Sequence, residues 1–372
     1  MHIGFVIYGS IDTLTGGYLY DKIVVKGLIE LGHKVEIISL PSRSYLGRVV
    51  HGLSPRLHDR LLTGRFDILI QDELCHPTLF WVNRRLGRQA GPIILTLVHH
   101  TLSAEPRKKW HNTILAAIER RYLSSVHGFI FNSKTTSKQV ASFINHHCPE
   151  VIAYPAGDRF GAPLAPTVIS ARAKQSGVLE LIFLGNVIPR KGLLPLLRAL
   201  AEVDTNFWRL SIVGDLDFDQ THASSARKLA EYLKVSESVR FLGPQQDEKL
   251  VEILKNSHLL CMPYAYEGFG IAILEAMAFG LPAFGSTEGA AGETIRHEIN
   301  GFLLNPDDLL GLNSILNKLY HDREKLTELS LAARETYIRA PGWQDAITTI
   351  ESFLEKMKDD NKKNSTQAKV RE

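Results

Sequence analysis

Two carboxylates eight residues apart are the first candidates for chemistry: Glu267 and Glu275, in the segment MPYAYEGFGIAILEAMAFGLP. The pattern predicts a helix that begins near Gly270, with Glu267 in the loop before it and Glu275 in its second turn. Carboxylates accept hydrogen bonds from sugar hydroxyls, whereas phosphate binds the N–H groups at 269–272 and the positive end of the helix dipole. A ligand that carries both hydroxyls and phosphate, such as a nucleotide sugar, therefore fits this segment.

The alternative is that Glu267 only caps the helix and that Glu275 is a solvated charge. Glu275, however, has apolar neighbours in the same helix, and a charge in so apolar a helix needs a partner. Gly268 and Gly270 also let the backbone approach a ligand closely. We therefore favour a ligand-binding role for the two carboxylates.

The run from Glu267 to Glu275, followed by a Gly-rich loop and NGFLL, resembles the donor-site signature of glycosyltransferase family 4. Looser matches at 16–40 and 183–200 extend the resemblance over nearly the whole chain. The family consists of retaining enzymes of GT-B fold. The resemblance implies an α/β protein with two facing Rossmann-like, doubly wound domains and a deep cleft between them. It also implies transfer of a hexosyl-type unit from a nucleotide diphosphate sugar to an acceptor hydroxyl, in glycan, glycolipid or small-molecule glycoside synthesis.

The resemblance carries donor-binding roles to this chain residue by residue. Glu275 is expected to bind the ribose hydroxyls, and Glu267 to contact the donor sugar as a catalytic residue. Lys191 is expected to bind the diphosphate. The family commonly has an Arg at the position of Asn186, so this cationic contact is either missing here or displaced to Arg190. Phe269, Gly270 and Ile271 are expected to bind the donor through their backbone N–H groups. Gly268 is the remaining expected donor-binding residue.

The N-terminal half offers weaker candidates. Gly16 and Gly17 follow the first predicted strand; a lone glycine pair is as often a plain turn, but the resemblance puts this loop beside the reaction centre. His99 ends a predicted strand, and the resemblance makes it the catalytic histidine near the donor sugar. His100 is the alternative because the doublet leaves the register open. His100 and Glu105 are also candidates for the acceptor side, although a solvated loop charge is the commoner interpretation of a residue such as Glu105.

We expect catalysis without a metal and without a cofactor other than the nucleotide sugar co-substrate. The acidic run GDLDFDQ does not fit an EF-hand, because the glycine that the loop requires is replaced by Gln220. Two rival functions stay open. One is another enzyme of this fold, such as a sugar-nucleotide epimerase or a phosphorylase; the other is a non-catalytic glycosyltransferase-like partner subunit. Intact Glu267, Glu275 and Lys191 weigh against the latter.

Alternating strands and helices must position these residues. Short apolar runs such as HIGFVIY at 2–8 and LELIFLG at 179–185 predict buried parallel strands. Segments with helical spacing lie between the strands, and the last of them in the second half is one helix near 308–338. Ser133 is expected to cap another helix. Two sets of this alternation predict two doubly wound domains.

The alternation divides the chain into five segments. They are an N-terminal Rossmann-like acceptor domain over 1–160, a linker over 161–178, a C-terminal Rossmann-like donor-binding domain over 179–340, a helix over 341–357 that crosses back to the N-terminal domain, and a disordered tail over 358–372.

Charge is unevenly spread. The whole chain has a net charge of +3, but residues 1–178 hold 21 Lys and Arg against 12 Asp and Glu, a net charge of +9. Much of the excess lies between 41 and 121, beside Trp110, and such a region can contact an anionic bilayer. A solvated face or a groove for a phosphorylated acceptor are the alternatives. We expect a saccharide, lipid or small-molecule acceptor and no nucleic acid, because no recognition motif appears.

The chain has three well-separated cysteines, which excludes a disulfide scaffold and suits a reducing compartment. Its apolar runs are all too short to span a bilayer. The sequence therefore predicts a cytoplasmic protein, with peripheral contact at the cytoplasmic membrane face as the alternative.

Overall fold

The computed structural model describes residues 1–13, 15–87, 91–105, 109–144, 147–264, 266–305 and 310–371. Arg88, Arg107 and Lys108 of the predicted basic region lie outside these ranges. The chain forms two compact units. One consists of Met1–Pro155 with Trp343–Glu372, and the other of Ala156–Gly342.

The first unit is built on a six-stranded parallel sheet with the strand order β2-β1-β3-β4-β5-β6. Its central strands are buried along nearly their whole length, as continuous Ile, Leu, Val and Phe runs predict. The strands are β1 His2–Tyr8, β2 Lys34–Leu40, β3 Ile68–Asp72, β4 Ile93–Val98, β5 Gly128–Phe131 and β6 Glu150–Ile152. The helices between them are α1 Gly16–Glu30, α2 Tyr45–His51, α3 Pro55–Thr63, α4 His76–Leu86, α5 Lys109–Leu123 and α6 Lys134–Ala141.

The second unit repeats this plan with the strand order β12-β11-β10-β7-β8-β9, again parallel. The strands are β7 Leu179–Leu184, β8 Trp208–Val213, β9 Val239–Gly243, β10 Leu259–Cys261, β11 Ala283–Ser286 and β12 Gly301–Leu304. The helices are α7 Pro166–Lys174, α8 Leu193–Ala201, α9 Gln220–Tyr232, α10 Asp247–Asn256, α11 Ile271–Ala278, α12 Leu310–His321 and α13 Arg323–Arg339.

The segment 161–178, predicted as a linker, contains helix α7 and belongs to the second unit. Its proline at the first helical turn starts the helix, where no N–H is needed, and does not break it. The side chain of Ile169 is buried against Gly280. The single helix predicted near 308–338 is also corrected. Asp322 interrupts it and caps α13 by accepting a hydrogen bond from the Lys325 N–H at 2.9 Å.

The last helix, α14 Trp343–Arg371, completes the first unit by packing against α1. The buried side chain of Ile347 lies directly over Gly27. Residues 358–371, predicted as a disordered tail, continue this helix, since no glycine or proline interrupts the sequence after Trp343. Among the described residues, no helix is both long and apolar enough to cross a membrane.

At Gly27, helix α1 packs closely against helix α14. A β-carbon added to Gly27 would lie 2.4 Å from Ile347 Cδ1. We expect Gly27→Ala to destabilise the protein, because overpacking costs about 1–3 kcal/mol, whereas the gain in helix propensity is about 1 kcal/mol. Thermal unfolding measures the effect. Gly311→Ala in α12 is the control, since among the described residues its new methyl would meet Leu304 at 3.5 Å, an ordinary van der Waals contact. An equal rise in melting temperature in both variants would contradict the prediction.

Candidate active site

The loop between β10 and α11 carries Glu267, and its backbone is held from two sides. Gly270 precedes α11 with a φ of +90°, a left-handed conformation that favours glycine. The Ala290 N–H donates to the Glu267 carbonyl at 2.9 Å, and a β-carbon on Gly289 would lie 2.4 Å from that same oxygen. The Gly-rich loop after β11 therefore fixes the position of Glu267.

Glu267 holds the two cations that the sequence analysis assigned to the diphosphate. Lys191 Nζ donates to Glu267 Oε2 at 2.7 Å, and Arg190 Nη1 reaches the same oxygen at 3.3 Å. Both cations lie in the turn after β7, and Gly192 after them approaches the Pro263 carbonyl too closely for any side chain. Burial lowers the pKa of Lys191, and the Glu267 carboxylate opposes that shift.

Glu275 is buried in α11, and its partner is Arg159, which the sequence analysis did not identify. Arg159 Nε lies 2.6 Å from Glu275 Oε1, and the guanidinium carbon lies 4.4 Å from the ring centre of Phe160. Burial raises the pKa of Glu275 to about 7, against the opposing charge of Arg159. The apolar setting of Glu275 signalled that a partner must exist, but local sequence does not say which residue it is.

The other predicted donor residues surround these carboxylates within the second unit. Phe269 is buried, Gly268 precedes it in the loop, and Ile271 begins α11. Asn186 stands where the family has an Arg, and its Oδ1 accepts a long 3.4 Å contact from the Asp215 N–H. Arg190 lies beside Lys191 in the turn after β7.

In the first unit, His99 follows β4 and is fixed by three neighbours. Its Nε2 lies 2.9 Å from Asp21 Oδ1, and its carbonyl accepts a 2.9 Å hydrogen bond from Asn132 Nδ2. Gly17 packs on the ring, since a β-carbon there would lie 3.2 Å from His99 Cδ2. Gly16 and Gly17 form the first turn of α1, so the glycine pair and His99 lie at one edge of the sheet. Asp21 was not predicted; it lies one turn and a half into α1.

His100 and Glu105 pair with each other, with His100 Nε2 3.1 Å from Glu105 Oε1. The turn between them is held by Glu119 of α5, which accepts hydrogen bonds from the N–H groups of Leu102, at 2.5 Å, and Ser103, at 3.2 Å. The Ser103 hydroxyl also donates to Glu119. These contacts make the segment after His99 a defined turn.

Behind this turn lies a buried acidic cluster that the sequence analysis missed. Oxygens of Glu73 and Glu119 and a ring nitrogen of His76 all lie within 4.8 Å of one another. Burial raises the pKa of Glu73 to about 8, and burial together with the charge of Glu73 raises that of Glu119 to about 7. Burial also raises the pKa of Asp72 to about 7 and lowers that of His76 to about 4. In the described part of the chain, Glu73, His76 and Glu119 are the group of three side chains placed closely enough to hold a metal ion.

The acidic run GDLDFDQ has a local structural role. The Asp217 N–H donates to Asp215 Oδ1 at 2.8 Å, and the Asp219 side chain caps α9 through the His222 N–H at 2.9 Å. The carboxylates of this run therefore satisfy backbone groups of a turn and a helix start.

Comparison with known proteins finds similarity to glycosyltransferases, with a family-model match in the second unit. Residues 167–336 match the family model Glycosyl transferases group 1. An uncharacterized glycosyltransferase of Methanocaldococcus jannaschii is 26% identical over 85% of this chain and 89% of its own length. The D-inositol 3-phosphate glycosyltransferase of Nocardia farcinica is 23% identical over 82% of this chain and 77% of its own.

Solved structures share the architecture over nearly the whole chain. Sucrose-phosphate synthase from Thermosynechococcus elongatus superposes with a TM-score of 0.80 at 15% identity, covering 95% of this chain and 98% of that one. Anabaena HepE, in complex with UDP and glucose, gives a TM-score of 0.74 at 20% identity, with 95% and 99% covered. With its two six-stranded parallel sheets, this chain has the GT-B fold.

The buried carboxyl of Glu73 makes folding stability depend on pH. Because burial raises its pKa to about 8, the stability linked to its proton is complete below its ordinary pKa and is lost as the pH rises through about 8. The side chain in Glu73→Gln does not titrate. We therefore expect its melting temperature relative to wild type to rise from about pH 5 to about pH 8 in thermal unfolding and to level off at higher pH, where Glu73 is ionised in both the folded and the unfolded state. The exposed Glu231→Gln is the control, and a difference that does not change with pH would contradict the assignment.

Proposed function

We propose that this chain, a glycosyltransferase of GT-B fold, takes its sugar from a nucleotide diphosphate sugar and transfers it to an acceptor hydroxyl with retention of anomeric configuration, as family 4 enzymes do. The observation that carries the proposal is the arrangement of Glu267, Lys191 and Arg190 before a helix that buries Glu275. This set provides two cations for a diphosphate and two carboxylates for hydroxyl groups. The UDP and glucose named with Anabaena HepE support a donor of this class.

Donor binding exchanges partners within this set. The diphosphate takes Lys191 and Arg190, and Glu267 accepts a hydrogen bond from a hydroxyl of the transferred sugar. The ribose hydroxyls bind Glu275, and the backbone N–H groups of 269–271 add donors near the phosphate. Two fixed cations also stabilise the charge that develops on the departing diphosphate.

Because Lys191 and Arg190 together supply two positive charges, the leaving diphosphate can be neutralised by protein groups without a metal ion. His99 acts beside the transferred hexosyl unit as the catalytic histidine, and the reaction proceeds without a covalent enzyme intermediate. His100 and Glu105, which pair with each other, lie on the acceptor side. A sugar-nucleotide epimerase would consume the donor without an acceptor, and a non-catalytic subunit would bind it without turnover.

The acceptor is presented at an anionic membrane surface. In the first unit, Leu46 and Val50 of α2 are 77% and 64% exposed, and Trp110 and Ile114 of α5 are 64% and 52% exposed. Helix α4 packs against both α2 and α5, so these side chains belong to one layer of helices. Exposed arginines accompany them at positions 43, 120 and 121. Exposed apolar side chains beside cations match the chemistry of an anionic bilayer.

The donor site is tested on the full-length protein with a panel of nucleotide sugars. The donor is identified by its thermal stabilisation of the wild type. We expect Glu275→Gln to weaken nucleotide binding by about tenfold or more, since hydrogen bonds to charged groups contribute about 1.5–3 kcal/mol. Glu267→Gln should lower kcat by about a hundredfold, as loss of one group that stabilises the transition state does.

Glu252→Gln is the matched control, because Glu252 forms an exposed pair with Lys249 and is not one of the donor residues. Wild-type nucleotide affinity in Glu275→Gln together with wild-type kcat in Glu267→Gln would refute the site. Donor consumption that is independent of any acceptor would instead identify an epimerase.

Membrane contact is tested by co-sedimentation with phosphatidylglycerol–phosphatidylcholine vesicles. We expect binding at low salt and its loss at about 1 M salt, where the Debye length falls to about 3 Å. The double variant Leu46→Glu/Val50→Glu should not sediment. Tyr232→Glu is the control, since Tyr232 is an exposed aromatic residue of the second unit. Equal sedimentation of all three proteins, or sedimentation with neutral vesicles alone, would rule out this surface.

A further inference from the structure

We propose that Asp21 is a positioning residue for His99: it keeps a proton on Nε2, so that Nδ1 is the ring atom left to meet the donor. This inference rests on the proposed role of His99 in sugar transfer. Asp21 lies on α1 and His99 after β4, 78 residues apart in the chain. The contact is therefore a product of the fold of the first unit and not of local sequence.

The geometry assigns the proton. Asp21 is fully buried, and its Oδ1 lies 2.9 Å from His99 Nε2. An ionised carboxylate only accepts hydrogen bonds, so Nε2 must be the donor. The second oxygen, Oδ2, is buried as well and has no hydrogen-bond partner among the described residues. The hydrogen bonding of this carboxylate, within the described structure, is thus directed at His99.

Two neighbours pack closely on the ring of His99. The rings of Tyr20 and His99 meet edge to face with 5.3 Å between their centroids, and a β-carbon on Gly17 would lie 3.2 Å from His99 Cδ2. The hydrogen bond from Asn132 fixes the backbone of His99. With Nε2 bound to Asp21, a ligand can form a ring hydrogen bond only with Nδ1. The described residues provide no hydrogen bond to Nδ1.

The charge of Asp21 favours a doubly protonated ring, in which Nδ1 is a donor. Burial alone would lower the pKa of His99, but the charge and hydrogen bond of Asp21 on α1 outweigh burial and raise it. Asp72, at the end of β3, and Glu73, in the turn after β3, also face His99 among the described residues, and they add charge only as they lose their protons, at a pH of about 7 and about 8. Below the pKa of His99 the ring carries both protons, and Nδ1–H can then donate to an oxygen of the donor, where negative charge develops as the diphosphate departs.

The first test needs no substrate. In the wild type, ¹⁵N NMR of the full chain, with His99 assigned through His99→Gln, should show Nε2 protonated at all pH values and a pKa above about 6.5, the ordinary value of histidine. Asp21→Asn should lower that pKa by about one to three, the effect of removing an adjacent opposite charge. Glu30→Gln, an exposed carboxylate on the same helix, is the matched control. A neutral ring protonated on Nδ1, or an unchanged pKa in Asp21→Asn, overturns the proposal.

The second test measures steady-state kinetics against pH. In Asp21→Asn the alkaline limb of kcat should move to lower pH. Above the wild-type pKa, kcat should then be lower than that of wild type by about tenfold for every whole pH unit that the limb has moved. The KM for the donor should stay within about twofold of wild type. A raised KM with unchanged kcat, or an acid limb that moves instead, refutes the positioning role. If no donor is turned over, the proposed function fails, while the NMR titration still decides the state of His99.

Discussion

Carboxylates removed from water determine how the candidate site of this protein is built. A buried charge is expensive unless a cation, a proton or several hydrogen bonds compensate it. Each unit has its own solution. The second unit neutralises Glu267 with Lys191 and Arg190 and Glu275 with Arg159. The first unit pairs Asp21 with His99 and retains protons on Asp72, Glu73 and Glu119, whose pKa values burial raises to about 7 or 8.

The parallel sheets explain why these groups meet. In a parallel sheet the loops after neighbouring strands emerge at the same edge, so side chains that are far apart in the chain become neighbours. Lys191 follows β7 and Glu267 follows β10, which pair directly in the second unit. His99 follows β4 and Asp72 ends β3, which pair directly in the first unit. Glycines with positive φ, such as Gly192 and Gly270, allow the close turns at these strand ends.

Much of the fold could be predicted because local sequence patterns determine its strands and helices. Apolar runs marked the buried strands, and Ser133 caps α6 by accepting from the Thr136 N–H at 3.1 Å, as expected. The sequence also indicated the part of the site that lies in one contiguous motif, namely Glu267 in the loop before α11 and Glu275 within that helix. Helix α7 was missed because its proline was interpreted as a break, although proline is well suited to the first turn of a helix.

The partners of the site residues could not be predicted in the same way. Asp21 reads as an ordinary polar residue of α1, and nothing near it in sequence signals that His99, 78 residues later, lies at 2.9 Å. Arg159 likewise belongs to a short turn whose sequence gives no sign of Glu275. Such pairings depend on the register of distant strands, which hydrophobic periodicity does not specify. The need for a partner was deducible, because an isolated charge in an apolar helix is costly, but its identity was not.

The internal ion pairs bear on selectivity. Lys191 and Arg190 already have a partner in Glu267, so a ligand gains from them only if it offers a stronger anion than one carboxylate. A diphosphate does so, with two negative phosphates for two cations, whereas a neutral sugar cannot replace Glu267 without leaving buried charges unpaired. The net charge of the C-terminal half of the chain is not what attracts the donor, since the chain beyond residue 178 carries an excess of acidic residues, 28 against 22 Lys and Arg. In the proposed function, selection therefore rests on the exchange of a few placed partners and not on the net charge.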